Sequence, residues 1–253
     1  MKRERRDVRE TITRMSTLAV LSALGFVLMA FAKFPYPMAP WLKVEVSELV
    51  VILAYALYGL PGGLIVAIVK TLLNIAVNGL VGYGVGDATA FITSCLFILS
   101  LFLTSHVFKW FKKGLLFRVI SYIFVAVFVS VIMTGLNALF ITPTFLTTMT
   151  PSPRFSTCFD EGVIQAVTKQ LTGNKEIVAN GGIYLGAMCT IYIPFNLMKA
   201  GICCFGYELL FNRLIFVFMR KSEFFKKYFV GNIFLKEVEE PNPSIEETGE
   251  NKE

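Results

Sequence analysis

The sequence has 253 residues, of which 55% are hydrophobic and only 17% are charged, and its mean hydropathy is +0.64. A soluble domain carries about 25% charged residues, so this composition excludes an ordinary soluble protein and indicates a membrane protein. The formal charge of +6 does not indicate a nucleic-acid partner, because the basic residues follow the membrane topology described below. Five cysteines stand at positions 95, 158, 189, 203 and 204 without a CxxC pair, which argues against a disulfide framework or a metal site.

Six apolar segments predict transmembrane helices, each judged against the roughly 20 residues that a helix needs to cross a bilayer. They cover residues 12–32, 47–58, 62–81, 88–108, 117–141 and a run that begins near 182 and continues toward 220. The second segment is short, and the glycines and proline of residues 59–63 predict a tight turn after it. The predicted fold class is therefore an all-α integral membrane protein with six transmembrane helices.

The segments outside the spans differ in composition. Residues 1–11 form a basic N-terminal segment before the membrane domain of residues 12–220. Residues 142–181 form a long polar loop, which we expect to contain some short structure of its own. Residues 221–253 form a C-terminal tail whose acidic end is predicted to be disordered.

Lysine and arginine residues predict the orientation of the six spans. With the N-terminus inside, 17 of the 24 lie on the cytoplasmic side, 5 lie outside, and Lys70 and Lys199 fall within spans. Cytoplasmic loops carry such an excess of basic residues. Both termini are therefore predicted to be cytoplasmic, and the loop of residues 142–181 is predicted to be extracellular.

The last span contains a polar stretch, Pro194–Lys199, inside an apolar run. A charge in hydrocarbon costs at least ~2.5–3.5 kcal/mol, so an intramembrane lysine suggests a functional site. Asn196 and Lys199 are three residues apart, which places them on one face of a helix. Pro194 removes a backbone donor just before them and can kink the helix.

Other polar residues are predicted to lie toward the same outer face, namely Glu45, Glu48 and Asn137. Together with the last span they predict an outward-facing polar pocket walled by apolar helices. Primary amides donate and accept hydrogen bonds at once, which suits a ligand with alternating donors and acceptors, such as a pterin or flavin ring. The alternative is that each asparagine makes an isolated hydrogen bond between helices.

Three further features have both a structural and a functional interpretation. Lys70 and Asn74 share a helix face and could bridge to Glu48 or to another span. The proline-rich loop of residues 33–41 could be a rigid link or a lid over the pocket. Ala19 and Ala23 are four residues apart, as in a close helix contact, which could be internal or a docking face for another subunit.

Enzyme motifs are missing from the sequence, which contains no HExxH, GxSxG or P-loop. The chain is therefore predicted not to be an enzyme, and without a nucleotide-binding motif it cannot drive active transport by its own hydrolysis. A membrane enzyme of another kind, or a regulator without transport, is the alternative class.

Taken in order, the motifs resemble the substrate-binding S components of energy-coupling factor (ECF) transporters, and among them the riboflavin-specific type. The similar stretches are spread over residues 15 to about 215, nearly all of the membrane part. They are Leu21–Met29, Lys33–Pro37, Trp41–Glu48, Val69–Asn74, Leu136–Pro143 and Ile193–Lys199.

The resemblance implies a six-helix S component in the cell membrane of a bacterium. It would capture riboflavin from outside, with riboflavin as the transported ligand and no cofactor. It would dock on a transmembrane coupling subunit, the T component, through Ala19 and Ala23. Two cytoplasmic ATPase subunits would then power release by toppling the S component.

Carried onto this chain, the family's flavin-binding positions are Asn137, Asn196 and Lys199, with Leu42 and Glu45 closing over the ligand. The amides are expected to meet the polar edge of the ring, and Lys199 and Glu45 to serve a ring carbonyl or the ribityl hydroxyls. Another vitamin or precursor, such as folate, is the alternative ligand.

The chain departs from the family pattern in three places. Glu45 and Glu48 stand where aspartates are usual, Ala90 precedes Phe91 where an asparagine is expected, and the loop of residues 142–181 is longer than usual.

Overall fold

The computed structural model describes residues 2–80, 84–107, 115–148 and 155–209. It is mostly helical. In chain order the elements are α1 Lys2–Phe31, β1 Lys33–Tyr36, β2 Ala39–Glu45, α2 Glu48–Asn78, α3 Val85–Val107, α4 Leu115–Leu136, a π-helical segment Asn137–Ile141, α5 Thr142–Thr148, α6 Glu161–Thr172 and α7 Gly181–Tyr207. The predicted continuation of the last helix toward residue 220 and the tail of residues 221–253 lie outside the described residues.

Five of the described helical stretches are long and apolar enough to cross a membrane. They are Thr11–Phe31, Glu48–Asn78, Val85–Thr104, Val119–Thr148 and Gly181–Tyr207. Large apolar side chains such as Val20, Ile123 and Val131 are exposed on the surfaces of these helices. Exposed apolar helix faces are what a protein presents to lipid, since lipid tails are as apolar as the side chains themselves. The chain is therefore a multi-pass membrane protein.

The predicted second and third spans lie in one element, α2, which contains a reversal at Gly59. This residue has φ 70° and ψ −163°, a backbone conformation that favours glycine. Lys70 contacts Glu48 at 3.2 Å, although 22 helical residues would separate them by about 33 Å in a straight helix. The two halves of α2, residues 48–58 and 60–78, therefore fold back on each other, as the predicted turn requires.

The segment between α1 and α2 is a β-hairpin, so the prediction of an all-α chain is wrong here. Strands β1 and β2 are antiparallel, with Lys33 opposite Glu45 and Phe34 opposite Val44. Proline has no N–H to donate, so it is tolerated where a strand is an edge, and both strands of this two-stranded sheet are edges. The prolines that suggested a rigid loop are compatible with a short hairpin for this reason.

The predicted outer loop contains short helices, as expected. Helix α6 is capped at its N-terminus by Asp160, whose side chain accepts from the backbone N–H groups of Gly162 and Val163. It ends at Gly173, which has the left-handed conformation typical of a helix C-cap. Val163 and Val167 of α6 are buried.

Two hydrophobic clusters hold the helices together, and a third attaches the hairpin. The third cluster joins the hairpin, α6 and the first half of α7, and contains Tyr36, Ala39, Val44, Ala138, Val163, Val167, Tyr184, Met188, Ile191, Tyr192 and Phe195. The hairpin and α6 therefore form a cap on the first half of α7, immediately before the polar stretch of that helix. We call this side of the molecule the hairpin end.

Candidate functional site

The polar residues of α7 are buried under the cap. Helix α7 begins at Asn180, whose side chain accepts from the N–H of Ile183, and it runs through Pro194. Asn196 and Lys199 are 4% and 7% exposed. An amide and an ammonium at this depth need polar partners, because hydrocarbon provides none.

Lys199 has two carboxylate partners. Its Nζ lies 3.7 Å from Glu45 Oε1 and 3.6 Å from Glu48 Oε1. Glu45 is the last residue of β2, and Glu48 is the first residue of α2. One residue of α7 is therefore attracted to both ends of the short link between the hairpin and the helix that follows it.

Glu48 is also bound from two other helical segments. Its Oε2 accepts a hydrogen bond from Ser94 Oγ of α3 at 2.6 Å and another from Lys70 Nζ at 3.2 Å. Lys70 Nζ also donates to Ser47 Oγ at 2.9 Å. Glu48 and Lys70 are both completely buried. The expected bridge from Lys70 to Glu48 is confirmed.

These four charged residues, Glu45, Glu48, Lys70 and Lys199, are called the charge cluster below. It contains two carboxylates and two ammonium groups, so it is neutral overall. Neutrality matters at this depth because an unpaired buried charge is strongly destabilising, whereas a paired and hydrogen-bonded one is tolerated.

The two asparagines meet the same turn of α4. Asn137, the first residue of the π-helical segment, donates through Nδ2 to the carbonyl oxygen of Met133 at 2.7 Å. Asn196 donates through Nδ2 to Thr134 Oγ1 at 3.3 Å. The hydrogen bond of Asn196 joins α7 to α4, as the alternative interpretation of an interhelical contact requires, while that of Asn137 stays within its own helix.

The π-helical segment that begins at Asn137 and the first residue of α5 are each tied to α7 by a tyrosine. The hydroxyl of Tyr184 donates to the carbonyl oxygen of Ala138, and the hydroxyls of Tyr192 and Thr142 are 2.7 Å apart. Segments of π-helix are rare and frequently lie at functional sites. Here the segment places Asn137 at the inner end of the cap.

The hairpin covers the polar stretch of α7 through apolar contacts. The rings of Tyr36 and Phe195 are in edge-to-face contact, with centroids 5.4 Å apart. Leu42, the remaining predicted ligand contact, is half-buried and packs against the cap cluster. The structure thus brings Asn196 and Lys199 under the hairpin, with Leu42 and Glu45 in the hairpin itself.

A cavity of about 410 Å³ lies beside this site, between the start of α3 and the segment around α5. Its lining residues are Gly84, Val85, Ala88, Thr89, Ile92, Phe140, Ile141, Thr144, Thr148 and Phe155. None of the predicted ligand contacts is among them. The side chains of Glu45, Asn196 and Lys199 are buried, so the polar site is closed to solvent, and the cavity is a separate, mainly apolar space.

The site residues that could not be identified from the sequence have short hydroxyl side chains. Ser94 binds Glu48, and Thr134 binds Asn196. Serine and threonine are too common in apolar helices to be singled out, and only the rotation of each helix shows which ones face a polar partner. Asn74 reaches another span, as one of its two expected interpretations requires, since its Nδ2 donates to Asp87 Oδ1 in the first turn of α3 at 2.6 Å.

The proposed docking residues lie away from the site. Ala19 and Ala23 are both exposed on α1, beside Val20 and Leu24, which are exposed too. This exposure does not support the other interpretation of Ala19 and Ala23, in which they pack against helices of the same chain. The face is available to lipid or to another subunit.

Comparisons with known proteins identify one family. Residues 13–211 match the model of the family described as ECF transporter, substrate-specific component. Over 207 residues the chain is 28% identical to the riboflavin transporter FmnP of Bacillus subtilis (strain 168), covering 80% of this chain and 92% of that one. Over 202 residues it is 27% identical to the riboflavin transporter RibU of Staphylococcus aureus (strain TCH60), covering 79% and 89%.

The fold is similar to that of a solved protein, described as the S component of a bacterial ECF transporter. The TM-score is 0.55, the sequence identity is 24%, and the similarity covers 82% of this chain and 98% of the other. This likeness concerns the fold alone.

Proposed function

Because the chain belongs to the family of ECF transporter substrate-specific components, we propose that it binds riboflavin and mediates its uptake across the plasma membrane of a bacterium. The names of the two riboflavin transporters that it resembles over most of their length support this ligand. The observation that carries the proposal is the convergence of Asn196, Lys199 and Glu45 at the hairpin, next to the turn of α4 that holds Asn137.

The chemistry of this site suits a flavin. The polar edge of the isoalloxazine ring alternates hydrogen-bond donors and acceptors, and a primary amide offers both. Asn137 and Asn196 would meet that edge, while Lys199 donates to a ring carbonyl or a ribityl hydroxyl and Glu45 accepts from a hydroxyl. Riboflavin is in this account the transported ligand and not a cofactor.

Binding requires the hairpin to move, because the site is closed. A ligand next to Lys199 has to displace its contact with Glu45, and the edge-to-face contact of Tyr36 with Phe195 has to open. Leu42 would then close over the bound ring from the hairpin side. The hairpin is thus proposed as the lid, in place of the rigid link.

The proposed topology has six membrane crossings with both termini in the cytoplasm. The reversal at Gly59 supports it, because each half of α2 then runs in its own direction. The excess of lysine and arginine in the predicted cytoplasmic segments supports the orientation. The hairpin end would then face the outside, where riboflavin is captured.

Uptake requires partners, since the sequence has no motif for nucleotide hydrolysis. We propose that the exposed face around Ala19 and Ala23 docks on the T component, and that two cytoplasmic ATPase subunits power release. Small residues on an exposed helix face permit a close approach of another helix in lipid.

Transport by cells tests this proposal directly. A bacterial strain without its own riboflavin S component would express the T component and ATPases with or without this chain, and uptake of radiolabelled riboflavin would be measured. We expect uptake only when all subunits are present, with competition by unlabelled riboflavin and none by folate. Uptake of radiolabelled folate, but not of riboflavin, that depends on this chain would indicate the alternative ligand, and no dependence on this chain would contradict the function.

A further inference from the structure

Glu48 has one carboxylate oxygen that is bound and one that is not. Oε2 accepts from Ser94 and Lys70, whereas Oε1 is a buried oxygen without a hydrogen-bond partner among the described residues. Lys199 Nζ lies 3.6 Å from Oε1. This distance is beyond the range of an ordinary hydrogen bond, so the attraction is electrostatic and leaves the N–H groups of Lys199 available.

The two carboxylates around Lys199 differ in how firmly they are held. Glu45 lies at the end of a hairpin strand, and the Glu45 side chain is 10% exposed. Glu48 is completely buried and is bound from α3 and from the second half of α2. If the hairpin moves, Glu45 moves with it, but Glu48 stays.

We propose that Glu48 is a positioning residue that holds the Lys199 ammonium in place for the ligand, with Lys70 as the counter-charge that fixes Glu48. This inference rests on the proposed function, because it assigns roles within the same ligand site. Glu45 is then the exchangeable partner of Lys199, and an acceptor oxygen of the ligand replaces it.

The charges of the cluster favour the replacement of Glu45 by a ligand oxygen. With the hairpin closed, two ammonium groups face two carboxylates. With the hairpin open and Glu45 withdrawn, Glu48 faces both Lys70 and Lys199, so the site carries an excess positive charge in a low-dielectric environment. A ligand oxygen with high electron density, such as a ring carbonyl, is favoured at that position over a hydrogen-bond donor.

A double variant distinguishes a positioning role of Glu48 from a role in charge balance alone. Glu48→Gln alone leaves two ammonium groups with one carboxylate and is expected to destabilise the protein as well as to weaken binding. Lys70→Met with Glu48→Gln makes the cluster neutral again, so thermal unfolding should return toward that of the unsubstituted protein. We expect riboflavin affinity, measured by quenching of its fluorescence, to stay about tenfold or more weaker.

Ser94→Ala provides a second test that changes no charge. It removes one of the two hydrogen bonds that fix Glu48 Oε2, and we expect a loss of about threefold to tenfold in riboflavin affinity. Ser100→Ala is the matched control, because Ser100 is equally buried on α3 but, within the part of the chain that the structure describes, donates to the carbonyl oxygen of Phe97 and not to Glu48.

The outcomes separate this inference from the proposed function. Unsubstituted protein that does not quench riboflavin would overturn both. Quenching by that protein, with full affinity in the double variant or in Ser94→Ala, would leave riboflavin binding in place and overturn the positioning role of Glu48. Weakened binding in Ser94→Ala but not in Ser100→Ala would support it.

Discussion

Lys199 of α7 and Glu45 of β2 form a buried ion pair, with Nζ and Oε1 3.7 Å apart. The pair connects the hairpin to the helix that carries the proposed ligand contacts. If the hairpin opens as proposed, Lys199 loses this partner. A ligand that binds Lys199 therefore competes with Glu45 of the closed hairpin for the Lys199 ammonium.

Lys199→Met should weaken riboflavin binding by about 10- to 100-fold, because it removes a charge-assisted hydrogen bond while keeping the length and apolar stem of the side chain. Fluorescence quenching of riboflavin by purified protein measures the effect. Lys43→Met is the matched control, since Lys43 lies in the hairpin but is exposed. If both variants bound riboflavin with equal affinity, Lys199 would not be a ligand contact.

Tyr36→Ala should accelerate both binding and release of riboflavin. The contact of Tyr36 with Phe195 holds the hairpin closed, and an aromatic pair of this geometry contributes about 0.5–1.5 kcal/mol, which corresponds to about twofold to tenfold in rate. Stopped-flow fluorescence measures both rates. Phe34→Ala is the control, because Phe34 is on the same strand and is 63% exposed. Unchanged rates in Tyr36→Ala would argue against the hairpin as a lid.

Ala19→Trp and Ala23→Trp should leave riboflavin affinity unchanged and prevent assembly with the T component. A large side chain on this exposed face blocks a close helix approach without disturbing the core of the chain. Co-purification with a tagged T component measures assembly. Val131→Trp is the control, at another exposed position on a spanning helix. Normal co-purification of both alanine variants would place the docking face elsewhere.

Ala88→Phe should leave riboflavin affinity within about twofold of that of the unsubstituted protein, because surface substitutions away from a site have small effects. Ala88 is exposed and lines the 410 Å³ cavity, which a phenylalanine would partly fill. The same quenching titration applies. A loss comparable to that of Lys199→Met would show that the ligand occupies the cavity as well as, or in place of, the polar site under the hairpin.

Several of these features could be predicted from the sequence because they depend on local chemistry. A glycine and a proline between two apolar runs indicate a turn, and Gly59 makes it. Spacing along a helix places Asn196 and Lys199 on one buried face. The pairing of Lys70 with Glu48 follows from the need of a buried ammonium for a carboxylate.

Other features depend on how the elements pack, and the sequence did not reveal them. The hairpin has three prolines, which favour a loop in isolation, and it is stabilised by packing of Tyr36 and Val44 against α7. The partners of the asparagines, Met133 and Thr134, depend on the rotation of α4 relative to α7. Closure of the site is likewise a property of the packed hairpin.

Equilibrium titration of riboflavin with purified protein tests the central claim most directly. We expect the unsubstituted protein to quench riboflavin fluorescence in a saturable manner, and Asn137→Leu and Asn196→Leu each to weaken binding by about tenfold, because the polar edge of the ring loses an amide partner. Asn174→Leu, in the exposed loop after α6, is the control. A protein that leaves riboflavin fluorescence unchanged, or asparagine variants that bind with full affinity, would contradict the account.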